Sequence, residues 1–219
     1  MDLNKFLFNI VSKGLNIQSV FDIGAHIGLW SMDLRNNVLH SSNFFLFEGN
    51  PKYEQDLKRT SLPYIITVLS NPGRGEVEFF NGTNTGDSYY KETTAIYDQM
   101  GSVRVPTHTL DDIIEHFNLP IPQLIKLDTQ GAELDILCGA EKHIMGKTEL
   151  LLTEMPIVEY NRGAPKFSEY IDYMRSFDYI PIDVFQIHRA EETLLQVDLM
   201  FMLRSAKYKF LGENNVIRV

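Results

Sequence analysis

The chain has 219 residues, 44% of them hydrophobic and 22% charged, a composition typical of a folded globular domain and not of a disordered or collagen-like chain. Its formal net charge is −9, so we expect neither nucleic acid nor an anionic membrane as a partner, because both bind to basic surfaces. The only cysteine is Cys138, which excludes a disulfide within the chain. The sequence has no apolar segment of ~18 residues and no signal-peptide pattern at its first residues, so we expect a cytoplasmic protein without membrane insertion.

The predicted elements alternate between strand and helix along most of the chain. A helix with one apolar face is predicted within residues 1–16. Continuous apolar segments predict strands of the kind buried on both faces of a parallel sheet, at residues 19–23, 43–47, 64–69, 124–127 and 150–153. Helical patterns lie between or after these strands, at residues 28–35, 51–59, 111–116, 132–145 and 167–174.

The remaining segments define the edge of the predicted sheet and the domain limits. Residues 76–80 and 103–106 are strand-like, and residues 179–184 and 197–203 predict an antiparallel pair at the sheet edge. The pattern predicts an α/β, Rossmann-like fold with a mostly parallel seven-stranded sheet, an antiparallel edge strand and helices on both faces. We predict a single domain over residues 1–204, with the N-terminal helix of residues 1–16 packed on it, and a polar C-terminal tail over residues 205–219.

The first motif is a strand end followed by a glycine-rich turn and a helix. Residues 22–28 have the pattern Asp-x-Gly-x-x-x-Gly, in which Asp22 ends the strand and Gly24 and Gly28 allow a sharp turn close to a ligand. The Gly-x-Gly-x-x-Gly pattern of dinucleotide-binding proteins is absent. We interpret the turn as one end of a cofactor site, with Asp22 accepting an ammonium group directly or through water. The alternative is a strand–turn–helix whose glycines serve packing alone.

Three more acidic residues end predicted strands. Glu48 comes 20 residues after Gly28, where an acid accepts hydrogen bonds from both ribose hydroxyls in nucleotide-binding sheets; a helix-capping or solvated carboxylate is the alternative. Asp128 and Glu154 end the strands at 124–127 and 150–153. Because ligands bind beyond the carboxyl ends of parallel strands, we expect these acids to meet at one edge of the sheet.

These motifs resemble those of the FkbM-type family of class I S-adenosylmethionine-dependent methyltransferases. The resemblance covers about residues 17–204 and rests on FDIGAHIG (21–28), FEGNP (47–51), TLDD (109–112), VDLMF (197–201) and, most specifically, IKLDTQGAE (125–133). The family more usually has Glu-Pro where this chain has Glu48-Gly49-Asn50-Pro51, and we expect this difference to loosen the turn.

The resemblance implies the class I methyltransferase fold, S-adenosyl-L-methionine as the cofactor, and methyl transfer to oxygen, typically a hydroxyl of a saccharide or small natural product. It implies that the glycine turn holds the methionine end of the cofactor and that Glu48 holds the ribose. The residues expected to bind the cofactor are Asp22, Gly24, Ala25, His26, Gly28, Glu48, Ser88 and Asp128.

The candidate catalytic base is Asp128 or Glu154, because an alcohol acceptor loses its proton as the new bond forms. Glu133 is a weaker candidate, since it can pair with Lys126 instead. We predict no metal site, although Asp128 and Glu154 with a third ligand form a conceivable one. His188 is interpreted as a surface-loop histidine, and the alternative is that it reaches a substrate over the sheet edge.

Several alternatives stay open at this point. The polar loop of residues 81–90, which contains Ser88, is either a substrate lid or an ordinary surface hairpin. The protein is alternatively a cofactor-binding scaffold without turnover, or a nicotinamide-dependent oxidoreductase, which shares the strand–glycine turn–helix and the downstream acid but requires the missing glycine spacing.

Overall fold

A seven-stranded sheet is the centre of the computed structural model, which describes residues 2–82, 86–93 and 101–211, with side chains as far as residue 207. In spatial order its strands are β3 (Tyr64–Ile66), β2 (Asn43–Glu48), β1 (Ser19–Ile23), β7 (Leu124–Leu127), β8 (Leu150–Pro156), β10 (Thr193–Leu203) and β9 (Tyr179–Ala190). The first five are mutually parallel, and β10 is antiparallel to both of its neighbours. The predicted α/β fold is confirmed, with the antiparallel strand one place in from the edge.

Helices cover both faces of this sheet. Successive strand residues point to opposite sides, and because the central strands carry apolar residues on both sides, both faces have to be buried. Val20 of β1 lies in one apolar cluster and Phe21 in the other. The Val20 side packs against α1 (Leu3–Ser12), α2 (Leu29–Asn37), α3 (Glu54–Thr60) and α7 (Arg204–Leu211). The Phe21 side packs against α4 (Leu110–Phe117), α5 (Glu133–Cys138) and α6 (Phe167–Ser176). Each fully buried Phe or Leu of the sheet contributes roughly 2 kcal/mol of hydrophobic stabilisation.

The two chain ends of the described region lie on the same face of the sheet. Helix α1 buries Phe6, Leu7 and Ile10 there. Helix α7 begins at Arg204 and buries Ala206, so the first part of the segment expected to be a tail is helical. The division into a domain and a tail stays a prediction. No helix in the described part of the chain is long and apolar enough to cross a membrane.

Two predicted elements are shorter in the structure than in the sequence pattern. The apolar segment at 64–69 divides at Thr67 into β3 and β4 (Val68–Leu69), and β4 joins a second, three-stranded sheet with β6 (Ser102–His108) and β5 (Glu76–Phe80). The helix expected over 132–145 ends at Cys138, and turns follow it. At Gly139 the backbone approaches β4 so closely that a Cβ would lie 2.3 Å from the carbonyl oxygen of Ser70.

Candidate active site

A cavity of about 900 Å³ lies at the carboxyl ends of the parallel strands, where ligands bind in sheets of this type. Most of the predicted site residues line it: Gly24, Ala25, His26, Glu48, Ser88, Asp128 and Glu154. Asp22 and Gly28 lie beneath the surface of the cavity and do not line it. The structure therefore brings the acids at the ends of β2, β7 and β8 to one space, with Asp22 below them.

The glycine turn, residues 24–28, connects β1 to α2 along one side of the cavity. Gly24 has φ +77°, and a Cβ on it would lie 1.9 Å from the carbonyl oxygen of Asp128. The N–H groups of Gly24 and Ala25 both donate to the carbonyl of Phe47 at 3.0 Å. His26 also has a positive φ of 51°. Backbone hydrogen bonds and contact with β7 thus fix the conformation of this turn.

Asp22 and Gly28 support the turn from below. The Asp22 side chain is fully buried and accepts a hydrogen bond from the Ser31 hydroxyl at 2.7 Å, while the Lys126 ammonium lies 3.4 Å from its other oxygen. Gly28 has φ +79°, and a Cβ on it would lie 2.8 Å from the Thr60 methyl group. Asp22 therefore joins β1, α2 and β7, and any contact with a ligand ammonium has to pass through water or through the lysine.

Glu48 lies at the end of β2 with both carboxylate oxygens oriented by backbone donors. The N–H of His26 donates to Oε2 at 2.7 Å, and the N–H of Asn50 donates to Oε1 at 2.8 Å. Burial raises the pKa of Glu48 above its ordinary value, and these two hydrogen bonds oppose that rise. Each oxygen keeps a further lone pair, so the carboxylate can accept two more donors from a ligand in the cavity.

The turn after Glu48 is fixed, and the expectation that Gly49 and Asn50 would loosen it is wrong. The Asn50 side chain accepts from the N–H of Lys52 at 3.0 Å and donates to Asp87 at 2.7 Å. A Cβ on Gly49 would lie 3.1 Å from the Phe79 ring, so this position has little room for a side chain. Gly49 thus allows the turn to pack closely against Phe79 of β5, and Asn50 holds the turn through its hydrogen bonds.

An apolar wall adjoins Glu48 and is formed by Val68, Leu69 and Phe79. Ser88 borders the same region, is 2% exposed, and pairs with Phe80 through hydrogen bonds in both directions at 2.8 and 3.2 Å. Residues 83–85 of the polar loop lie outside the described residues. This part of the cavity thus combines an apolar surface with the Glu48 carboxylate.

Lys126 and Asp128 form an ion pair in the middle of the cavity floor. The Lys126 ammonium lies 3.2 Å from Asp128 Oδ2. Burial alone would lower the pKa of Lys126, but the charges of Asp128 and Asp22 outweigh it and raise that pKa. Burial likewise favours a higher pKa for Asp128, and the charge and hydrogen bond of Lys126 outweigh it and lower that pKa. Asp128 is thus an ionised carboxylate with a 40% exposed side chain.

Glu133 does not pair with Lys126. Its buried carboxylate accepts from the N–H groups of Thr129 and Gly131 at 2.6 and 3.0 Å and from the hydroxyl of Tyr170 at 2.9 Å. These donors from its own turn and from α6 satisfy Glu133, so it orders the segment after β7 and is not available as a base.

Glu154 lies at the far side of the cavity from Glu48. Its Oε2 accepts hydrogen bonds from the side-chain amides of Gln130 at 2.7 Å and Gln196 at 2.9 Å. Burial, followed by the charges of nearby acids such as Asp128, raises the pKa of Glu154 well above its ordinary value. The amides hold one oxygen, and the other faces the β9–β10 hairpin.

That hairpin contributes cavity residues that the sequence analysis did not assign. His188 belongs to β9, and its side chain lines the cavity together with Gln186, Gln196 and Asp198. The favoured interpretation of His188 as a surface-loop histidine is therefore wrong, whereas its position is compatible with the alternative that it reaches a substrate over the sheet edge. A signal was present in VDLMF, where Asp198 is a lone charge in an otherwise apolar strand. We call Gln186, His188, Gln196 and Asp198 the hairpin wall.

The fold and the cavity define a class I methyltransferase architecture, and comparison with known proteins identifies the family. Residues 22–181 match the family described as the methyltransferase FkbM domain, and the chain belongs to this family. A crystal structure of the FkbM methyltransferase from Methylobacillus flagellatus aligns with a TM-score of 0.54 at 17% identity, over 86% of this chain and 45% of that one. The present chain thus spans less than half of that protein.

Two curated proteins are also similar in sequence. The 2-O-methyltransferase NoeI of Sinorhizobium fredii is 25% identical over 186 residues, which are 74% of this chain and 72% of NoeI. The hexuronic acid methyltransferase AglP of Haloferax volcanii is 26% identical over 125 residues, which are 55% of this chain and 48% of AglP.

Proposed function

We propose that this protein is an S-adenosyl-L-methionine-dependent O-methyltransferase whose acceptor is a hydroxyl group of a saccharide or a related small molecule. Membership of the FkbM family supports methyl transfer, and the names of NoeI and AglP support oxygen as the methylated atom and a sugar acid as one acceptor class. The observation on which the proposal most depends is the cavity between Glu48 and Glu154. The cytoplasmic location and the lack of a nucleic-acid partner stay predictions.

The residues around the cavity fit this cofactor. A volume of about 900 Å³ is in the range that holds a cofactor together with a small acceptor. Glu48 would accept the ribose hydroxyls, and the apolar wall beside it would contact the adenine. The methionine end would lie along Gly24, Ala25 and His26. Beyond the turn the cavity becomes acidic at Asp128, which favours the cationic sulfur.

The chain's own part in the reaction is mainly to position the reactants. When bound, S-adenosylmethionine supplies a methyl group on a cationic sulfur, which the acceptor oxygen displaces in line. Fixing the two reactants in that alignment supplies a large part of the rate acceleration. The turn and Glu48 are immobilised by backbone hydrogen bonds before any ligand arrives, and this preorganisation lowers the entropy cost of alignment.

The structure separates the roles of the two candidate catalytic acids. Asp128 is ionised and open to the cavity, so we propose that it accepts the proton of the acceptor hydroxyl. Glu154 is nearly buried, with one oxygen held by two amides, so we propose that it positions the acceptor side of the cavity. Substitution to Asp128→Asn should lower kcat with little change in affinity for S-adenosylhomocysteine, whose sulfur carries no charge. An unchanged kcat in both Asp128→Asn and Glu154→Gln would contradict this assignment.

The first experiment is calorimetric titration of the purified chain with S-adenosylhomocysteine, with NAD as the comparison ligand. We expect binding of one S-adenosylhomocysteine per chain and no binding of NAD. Binding of NAD alone would favour the oxidoreductase, and binding of neither ligand would contradict a complete cofactor site. Transfer of labelled methyl groups to a panel of uronic acids and neutral glycosides then distinguishes an enzyme from a scaffold, which would bind the cofactor without forming product.

A further inference from the structure

Three ionisable side chains from three adjacent strands meet at the acceptor side of the cavity. Glu154 of β8 lies directly opposite Asp198 of β10 in the antiparallel ladder, and Gln196, two residues before Asp198 on the same face, lies opposite His188 of β9. The Nε2 atom of His188 is 3.2 Å from Asp198 Oδ1 and 3.8 Å from Glu154 Oε1. One imidazole nitrogen therefore faces two carboxylates at once.

The charges in this cluster are poorly balanced. Like charges directly opposite each other on neighbouring strands destabilise a sheet. Lys126 is already paired with Asp22 and Asp128. In the described part of the chain, the imidazole of His188 is the only basic group within 4 Å of Glu154 or Asp198. Two carboxylates are thus held together on the sheet with no permanent positive charge between them.

Glu154 gives a second, independent indication that a ligand belongs here. Its side chain is 8% exposed, and two amides fix its Oε2, whereas Oε1 accepts no hydrogen bond from any residue that the structure describes. The side chain is thus nearly buried, and its second oxygen keeps its lone pairs for a ligand that enters from the cavity. This oxygen is directed toward His188 and Asp198, and the cavity opens onto all three side chains.

The spacing of the three groups suits a metal ion. The candidate ligand atoms of Glu154, His188 and Asp198 all lie within 4.8 Å of one another. Bonds of about 2.0–2.2 Å from a central ion to nitrogen and oxygen place neighbouring ligand atoms about 3.0–3.5 Å apart. The 3.2 Å and 3.8 Å separations are close to that range, so small side-chain rotations would admit an ion. Gln130 and Gln196 supply the outer hydrogen bonds that orient a ligating carboxylate.

We propose that Glu154, His188 and Asp198 bind one divalent transition-metal ion, such as Mn²⁺, with its remaining coordination positions open to the cavity. An imidazole ligand favours such an ion over Mg²⁺ or Ca²⁺, which prefer oxygen ligands alone. This site extends the sequence analysis, which predicted no metal and considered only a set that included Asp128.

The role of the ion in methyl transfer rests on the proposed function. The acceptor oxygen would bind the ion, which lowers the pKa of its hydroxyl group. The hydroxyl proton passes to the Asp128 carboxylate. The oxygen then forms its bond to the methyl carbon while the carbon–sulfur bond breaks, and the electron pair stays on sulfur. Asp128 is a weak base because Lys126 lowers its pKa, and an acidified hydroxyl is the acceptor that a weak base can deprotonate.

The test is titration of the whole purified chain with Mn²⁺, followed by the electron paramagnetic resonance signal of the free ion. We expect one Mn²⁺ per chain and affinities at least on the order of 100-fold weaker in His188→Ala and Asp198→Asn. The matched control is His143→Ala, because His143 Nε2 contacts Glu115 at 3.0 Å on the surface with no second carboxylate in the contact. Its Mn²⁺ affinity should equal that of the original chain.

S-adenosylhomocysteine binding is measured on the same samples, so that failure of the metal site and failure of the proposed function are distinguishable. Absence of Mn²⁺ binding at millimolar concentration, or equal affinity in both variants, overturns the metal site whether or not the cofactor analogue binds. Loss of methyl transfer in His188→Ala without Mn²⁺ binding by the original chain also overturns it and assigns His188 to proton transfer. Asp198→Asn is isosteric, so it keeps the test decisive if His188→Ala fails to fold.

Discussion

The two ends of the cavity are built in opposite ways. At the glycine-turn end, backbone N–H groups orient Glu48 through both of its oxygens, and Asp22 has a hydroxyl and an ammonium as partners. At the hairpin-wall end, side chains from separate strands face one another, and Glu154 and Asp198 are both carboxylates in direct cross-strand register. The first end is satisfied without a ligand, and the second is left with unbalanced charge.

This difference suggests that the two ends of the cavity have different binding requirements. A site for one fixed cofactor can be preorganised by the backbone, because the same groups are needed in every reaction cycle. A site that receives an acceptor and, as we propose, an ion must keep binding capacity free until they arrive. Three substitutions test this contrast, and they follow in order of decreasing expected effect on stability.

The largest effect is expected at the glycine turn, where Gly24→Ala would place a Cβ 1.9 Å from the Asp128 carbonyl oxygen. Separating β1 from β7 to relieve this overlap should cost on the order of 5 kcal/mol of unfolding free energy, a large part of the stability of a typical domain. The control is Gly146→Ala, since Gly146 has a similar φ of +73° with nothing within 4 Å of its Cβ position. It should lose only about 1 kcal/mol. Urea unfolding measures both, and equal losses would show that backbone strain, not contact, fixes the turn.

The next substitution is Lys126→Met, which removes the cation at the boundary between the two ends. It leaves the buried Asp22 with Ser31 as its side-chain donor, so we expect a loss of about 3 kcal/mol at pH 7. A carboxylate whose folded pKa is lowered adds stability above its unfolded pKa and loses it as the pH falls through the folded pKa. Against the rise that burial favours, Lys126 makes the largest contribution to lowering the pKa of Asp128, so Asp128 should behave in this way much less in the variant.

The pH dependence of unfolding therefore distinguishes the variant from the original chain. The difference in Tm between the two should be largest near neutral pH and should shrink as the pH falls below about 4, where Asp128 and its unfolded counterpart are both becoming protonated. A difference that is constant between pH 3 and pH 7 would mean that Lys126 stabilises the fold by packing and not by charge.

The smallest loss of stability is expected for Glu48→Gln, although its effect on binding is large. Both carboxylate oxygens accept a backbone N–H, so an amide nitrogen in either position would face a donor. We expect a loss of about 2 kcal/mol in unfolding free energy and at least a tenfold weaker affinity for S-adenosylhomocysteine. Glu54→Gln, an exposed carboxylate that accepts from Tyr64, is the control and should change neither. Unchanged affinity in Glu48→Gln would remove Glu48 from the ribose site.

The glycine-turn end could be predicted from sequence because its chemistry is local. Asp22, Gly24 and Gly28 are contiguous with one strand, and both β1 and β7 have the bounds that the apolar pattern predicts. The requirement for glycine at a positive φ also leaves a direct trace in the residue type. The topology of a parallel sheet alone also predicts that the acids at the ends of its strands lie close together.

The hairpin wall could not be predicted in the same way, because its geometry depends on long-range register. Whether His188 faces the cavity depends on which residues of β9 pair with β10, and the pairing shifts between Asp198 and Leu199 and at two other places. Strict alternation along β9 would place Val184 and His188 on one face of the sheet. The shift instead aligns Val184 with Leu199 and Gln186 with Asp198, and these two β10 residues lie on opposite faces of the sheet. Val184 therefore points to the face opposite that of Gln186 and His188.

These register shifts also affect how the protein opens locally. Within the described β9–β10 ladder, each shift leaves one residue without a cross-strand partner: Ile182, Phe185 and Leu195. Amide hydrogens beside such interruptions exchange with solvent through small local openings, whereas those of a continuous central strand exchange only in larger ones. The amides of β9 should therefore exchange with deuterium well before those of β1, and the hairpin wall should open to solvent at a smaller free-energy cost than the glycine turn.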